Sequence, residues 1–167
     1  MKLVRYGQPG KEKPGLIDAE GRLRDLSGVV KDISPDLLND KALAKLAKVK
    51  TDKLPLVRGK KRFGTPISYT SKFIAIGLNY ADHAAESGLP IPPEPVVFMK
   101  ATSCIQGPND PVMLPKGSVK SDWEVELGIV IGSRCRYLAD EQEAAARIEQ
   151  GVEQACAEHP QHRVDPI

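Results

Sequence analysis

The sequence predicts a mixed, mainly β fold with a small N-terminal α+β region, and three observations carry this. Ser121 to Gly132 alternates polar and apolar residues, the pattern of a half-buried strand. Short apolar runs recur between Gly and Pro breaks at 73–76, 96–99 and 112–114. Helical spacing is confined to stretches after Pro35, after Asp82 and after Glu141.

The N-terminal elements come first. Lys2 to Tyr6 reads as a short strand, residues 15–21 as a strand running into a turn, and Arg22 to Leu26 as the return strand. Together they predict a small meander or hairpin. Ser34-Pro35-Asp36 is a helix-start signal, with Ser as N-cap and Pro at the first helical position. Leu37, Leu38, Leu43 and Leu46 then recur at helical spacing, so one or two short helices are expected before Lys50. Residues 51–70 are rich in Pro, Gly, Lys and Arg and read as a connector. Its Arg58-Gly59-Lys60-Lys61-Arg62 cluster is expected to be a solvated loop, because no aromatic interleaving accompanies it.

Phe73 to Ile76 reads as a buried strand ended by Gly77. Asp82 to Glu86 reads as a helical turn. His83 and Glu86 stand three apart and meet on one helix face. A carboxylate beside an imidazole orients it and raises its basicity, as in a general base; a surface His–Glu pair at a helix end fits the same spacing. Leu89 to Pro95 is too proline-rich for a helix interior or a central strand. Val96 to Lys100 reads as a strand, with Lys100 facing a pocket or reaching solvent. Gly107 to Pro111 reads as a turn, and Val112 to Pro115 as a short strand.

In the alternating stretch, Asp122, Glu124 and Glu126 share one face. Trp123, Val125, Leu127 and Ile129 share the other, which is expected to be buried. Carboxylates two apart on one face sit roughly 6.5–7 Å apart at Cα, close enough to lean onto one hard cation. A solvated acidic face gives the same pattern. Beyond Gly132, Arg134 to Leu138 reads as a strand end, and Asp140 with Glu143 as the start of a helix from Glu141 to Glu158. The tail from Glu158 shows no periodicity; Pro160 spoils a metal-binding pair of His159 and His162.

Composition narrows the function classes. The chain carries 24 Lys and Arg against 22 Asp and Glu, a net charge of +2, which argues against a dedicated nucleic-acid binder. No apolar run approaches the ~20 residues of a membrane span, and the N-terminus lacks the apolar region of a signal peptide. Cys104, Cys135 and Cys156 are widely separated and form no Cys-x-x-Cys, which suits a reducing cytoplasm. There is no Gly-rich phosphate loop and no Gly-x-Ser-x-Gly elbow.

Four segments taken together, Gly77 to Glu86, Pro95 to Lys100, Gly107-Pro-Asn-Asp110 and Asp122 to Gly132, resemble the fumarylacetoacetate hydrolase family in order and spacing. The overlap runs from about Lys72 to Ala145. The N-terminal Lys-Leu-Val-Arg-Tyr-Gly and Arg-Asp-Leu-Ser-Gly segments resemble its bacterial branch of ureidoglycolate lyase type. The resemblance implies a partial fumarylacetoacetate hydrolase-like β-roll, Mg²⁺ or Mn²⁺ held by carboxylates, and cleavage, hydration or decarboxylation of a small 2-oxo or related acid. By motif position it implies Glu124 and Glu126 as metal ligands, His83 and Glu86 as a water-activating dyad, and Tyr80 and Lys100 near substrate. Three regions follow: 1–65, a small N-terminal region; 66–145, a partial catalytic domain; and 146–167, a tail that departs from the family pattern. That departure leaves the third metal ligand unassigned, and it reads as a shifted frame or a truncated copy with impaired activity. A non-catalytic relative and a hydroxyheptadienedioate-type isomerase or decarboxylase are the alternatives. The expected partner is a small carboxylic-acid substrate, with no nucleic acid and no membrane, and with a homodimer left open.

Overall fold

The computed structural model describes residues 1–121 and 126–142. The chain divides into two compact units, one formed by Met1–Ser68 and the chain from Gly107 onward, the other by Tyr69–Gln106.

The first unit is built on an antiparallel meander of β1 (Lys2–Tyr6), β2 (Lys13–Ile17) and β3 (Leu23–Asp25), in that order across the sheet. Asp18 shapes the β2–β3 turn. Its carboxylate accepts from the backbone N–H groups of Glu20 and Arg22, and from the guanidinium Nε atoms of Arg22 at 2.9 Å and Arg24 at 2.8 Å. Burial alone would raise the Asp18 carboxyl, but these donors hold it well below the usual carboxylate range. The meander covers a core of Leu16, Leu26, Leu46 and Leu54, with Leu3, Val30, Leu37 and Val49 packed around it.

The helical region after Ser34 is split, as its leucine spacing allows. Pro35–Leu37 forms a single 3₁₀ turn, and Ser34 makes no side-chain cap. The cap belongs instead to Asn39, whose side chain accepts from the Ala42 N–H and starts α1 (Asp40–Leu46). The 51–70 stretch is more than a connector. Val57 N–H donates to the Leu23 carbonyl and Asp25 N–H to the Pro55 carbonyl along β3, while Gly64 N–H donates to Arg5 and Gly7 N–H to Arg62 along β1. Both edges of the meander are thereby covered, which satisfies edge groups that would otherwise be open. Periodicity could not show this, because Pro and Gly keep each strap too irregular to read as a strand.

The second unit is a two-stranded antiparallel sheet of β4 (Phe73–Gly77) and β5 (Val96–Lys100), with α2 (Ala81–Glu86) in the connection between them. The strands form where expected, but β4 is not buried: Ile74 and Ile76 are exposed.

Other expectations are corrected. Asp122, Trp123, Glu124 and Val125 lie outside the described residues. Residues 126–130 do not form a strand, and Leu127 and Ile129, expected in the core, are 75% and 54% exposed. Residues 112–115 and 134–138 form no strand either. Alternation records which face of a strand can be buried, but a strand exists only against a partner, and no ladder among the described residues reaches these segments. Glu141 and Gln142 are helical, and the remainder of the helix expected from Glu141, together with His159 and His162, lies outside the described residues. Among the described residues no helix is long and apolar enough to cross a membrane.

Candidate functional site

Four of the candidate residues fall in the second unit. β4 ends at Gly77, and the chain turns through Leu78, which holds a left-handed φ of 49°. That conformation costs a branched residue about 1 kcal/mol or more, a strain that marks the turn into α2. Tyr80 follows as the extended N-cap of α2 without a side-chain cap bond, the residue 48% exposed. The helix ends in a Schellman motif: Gly88 N–H donates to the Ala85 carbonyl and Leu89 N–H to the Ala84 carbonyl. Gly88, at φ 66°, supplies the left-handed residue that this ending requires.

Within this single tight helix His83 is half-buried and Glu86 is exposed, one turn apart on the same face. No hydrogen bond or ion pair among the described residues links them. The Asp82 carboxylate accepts from the His83 backbone N–H at 2.9 Å. Lys100, at the far end of β5, stands directly across from Phe73. Its ammonium lies 5.9 Å from the Phe73 ring centre and 6.0 Å from that of Phe98, so two aromatic faces hold the cation at one end of the sheet. α2 leaves from Gly77, at the other end of β4, four residues or about 13 Å along the strand. The hairpin therefore presents a fixed cation at one end and a helix carrying a histidine and a carboxylate at the other.

Of the carboxylate pair, Glu126 is exposed in the first unit, and Glu124 lies outside the described residues. Two carboxylates suit a hard cation by chemistry. Among the described residues, however, no group of three or more His, Cys, Asp or Glu side chains could hold a metal ion. The described residues thus offer one of the two expected carboxylates and no complete donor set for an ion that takes six oxygens.

A further feature of this region escaped the sequence. Arg62, read as part of a solvated basic loop, donates from Nε and Nη2 to the two carboxylate oxygens of Asp110, both at 2.6 Å. It also reaches Glu12 at 2.9 Å. Glu12 lies 3.6 Å from Arg5, and Arg5 pairs with Asp32. The Arg62 hydrogen bonds hold the Asp110 carboxyl below its usual range against the opposing effect of burial. Asp110 closes the Gly107-Pro-Asn-Asp turn by accepting from the Gly107 N–H at 3.0 Å. Gly107 is required there, because a Cβ would overlap the Phe63 carbonyl oxygen. Arg62 and Asp110 meet across 48 residues of sequence; no spacing rule could have paired them.

Comparison with known proteins adds the decisive observation. Residues 72–150 match the family described as fumarylacetoacetate (FAA) hydrolase C-terminal. This stretch is similar to the fumarylacetoacetate hydrolase family. All four helix and hairpin candidates, and both carboxylates, fall inside it. Proteins of Burkholderia cenocepacia and Burkholderia lata, each named as a hydrolase by inference only, are 60% identical over 136 residues, 81% of this chain and 48% of theirs. Two solved structures share the fold at a TM-score of 0.66. One is a protein of Mycobacterium smegmatis described provisionally as HpcE (32% identical), the other the fumarylacetoacetate hydrolase of the psychrophile Exiguobacterium antarcticum (28% identical); each match covers 89% of this chain and 52% of the other. The chain therefore spans about half the length of the family members it matches.

Proposed function

We propose that this chain carries part of a divalent-metal-dependent hydrolase or lyase acting on a small 2-oxo or related carboxylic acid, of ureidoglycolate lyase type, working in a reducing cytoplasm. The observation that carries the reading is the family match over 72–150, a span that includes His83, Glu86, Lys100, Glu124 and Glu126. In this reading His83, oriented by Glu86 once substrate is in place, takes a proton from water or substrate. Lys100 offers a fixed positive charge to a developing enolate or to a carboxylate, and Tyr80 borders the substrate. Glu124 and Glu126 would hold Mg²⁺ or Mn²⁺, which when bound supplies Lewis acidity toward the substrate's oxygens.

Two carboxylates leave most of the coordination shell to water, and Mg²⁺ dehydrates reluctantly, so weak binding is expected from this chain alone. Calorimetry with Mg²⁺ and Mn²⁺ tests it; micromolar binding that survives Glu124→Ala would place the metal elsewhere.

The test of activity compares the 167-residue chain with a version extended to the length of its relatives, on ureidoglycolate, acylpyruvates and a hydroxyheptadienedioate-type acid. Little turnover is expected from the short chain. Orientation in an enclosed pocket contributes ~7–11 kcal/mol of barrier reduction, and a half-built pocket forfeits much of it. The extended protein should turn over one of these acids and lose that activity on His83→Ala or Glu126→Ala. Robust turnover by the 167-residue chain, abolished by the same substitutions, would show that the additional length is dispensable; turnover by the extended protein that survives both substitutions would refute the reading. The second reading, a relative that binds without catalysis, is favoured by coverage of only 48% of the curated relatives; an extended protein inactive on all three substrates would support it.

A further inference from the structure

We infer that Phe73 and Phe98 are positioning residues for Lys100: their rings fix the lysine ammonium on one face of the β4–β5 hairpin and leave its charge free for an anionic substrate. The inference deepens the proposed function and rests on it for the part that Lys100 plays. The register sets the face. Phe73 stands across from Lys100, Ala75 across from Phe98 and Gly77 across from Val96, so these six residues share one side of the sheet. Lysine is ordinarily among the most exposed residues. Here the four apolar residues of β5 are exposed and Lys100 alone is half-buried. What its ammonium meets is two rings, with centres at 5.9 Å for Phe73 and 6.0 Å for Phe98, the range over which a ring face attracts a cation. Small residues of β4 make room for this arrangement. Ala75 lies opposite Phe98, and a Cβ added at Gly77 would stand 3.5 Å from Phe98 Cε1. The Phe98 ring therefore lies along the face between the lysine and the glycine from which the chain turns toward α2.

The chemistry of the holding groups matters. Among the described residues Lys100 forms no ion pair with a carboxylate, whereas Arg62 is neutralised by Glu12 and Asp110. A carboxylate would hold the lysine and cancel its charge. A ring holds it through the quadrupole of the π-system and leaves the charge uncompensated. Lysine is a point charge on a flexible four-carbon stem. Settling that stem in advance spares the ordering it would otherwise undergo as an anion binds or as negative charge develops.

Two readouts test the inference. The first is nuclear magnetic resonance of the 167-residue chain carrying isotope-labelled lysine. The ε-CH₂ protons of Lys100, assigned by their loss in Lys100→Arg, should resonate upfield of those of the other lysines, because protons over a ring face are shielded. Phe73→Leu and Phe98→Leu keep an apolar side chain and remove the ring. Each should remove part of the upfield displacement, and the two together all of it. Phe98→Tyr, which keeps a ring face, and Met99→Leu, on the opposite side of the sheet, should leave it in place. The second readout is turnover by the extended protein. Each Leu substitution should lower kcat/KM about fivefold, and Phe98→Tyr should retain the parental value. In a Lys100→Met background neither Leu substitution should lower the residual turnover further, because both act through the lysine. Parental lysine resonances in the Leu variants, Leu variants as active as the extended parent, or an equal further loss in the Lys100→Met background would overturn the inference. An extended protein inactive on every acid tested would refute the catalytic reading, while the lysine resonances, read without turnover, decide separately whether the rings fix Lys100.

Discussion

Gly107→Ala is expected to destabilise the first unit, and the reason lies in what surrounds the missing side chain. A Cβ at this buried position would overlap the Phe63 carbonyl oxygen and stand 2.8 Å from Asp110 Oδ2. Neither neighbour is free to give. Phe63 is held beside β1 by its bridge to Tyr6, and Asp110 by two hydrogen bonds from Arg62. Overpacking against anchored atoms costs about 1–3 kcal/mol, and backbone involvement puts this site in the upper half of that range. A Gly to Ala change returns ~0.4–1 kcal/mol by stiffening the unfolded chain. The clash wins, leaving a net loss of about 1–2.5 kcal/mol. Urea unfolding followed by far-ultraviolet circular dichroism should show the midpoint falling by roughly 0.5–1 M at unchanged slope. Gly28→Ala is the matched control, because a Cβ there meets nothing within 4 Å. A midpoint for Gly107→Ala at or above the parent's, or an equal drop in the control, would refute the account of why this turn needs glycine.

Leu26 is fully buried in the leucine cluster, so Leu26→Ala should cost about 2–5 kcal/mol in the same assay; a loss under ~1 kcal/mol would mean the core lies elsewhere. Asn39→Ala should remove the cap of α1 at a cost of about 1 kcal/mol, whereas Ser34→Ala, which lacks a cap bond, should cost little, and the reverse order would restore the original reading of Ser34. Burial, helped by the hydrogen bond and charge of Asp25, pushes the Tyr6 phenol up to about 12. The unfolded phenol titrates near 10, so the folded state holds its proton longer, and this contribution is intact below pH ~10 and lost as pH rises to about 12. Stability measured from pH 9 to 12 should fall less steeply in Tyr6→Phe than in the parent; identical slopes would place the effect in other groups.

The local elements were legible wherever a short-range rule governs them. The meander, the split helical region and both strands of the hairpin follow from alternation, leucine spacing and Gly–Pro punctuation, because those signals act within a few residues. The helix after Tyr80 was legible for the same reason, although its Schellman ending at Gly88 went unread. The resemblance to the family was legible from motif order, since several short motifs in register are far more specific than any one. The central acidic stretch is the instructive miss. Its alternation is real, yet Leu127 and Ile129 are exposed, because burial is conferred by a partner that the alternation itself does not supply.

The amino-acid sequence by itself determined the local conformations and the order of chemical groups along the chain: a histidine one turn before a carboxylate, a lysine ending a strand, two glutamates on alternating positions. Only the tertiary structure decided which distant groups meet. It joined Arg62 to Asp110, drew residues 51–70 along both edges of the meander, and set Lys100 over two phenylalanine rings at the end of the hairpin opposite the turn into α2. The physical reason is range. Backbone propensity and side-chain periodicity act over a few residues and are written locally, whereas ion pairing and burial depend on neighbours that folding brings from anywhere in the chain.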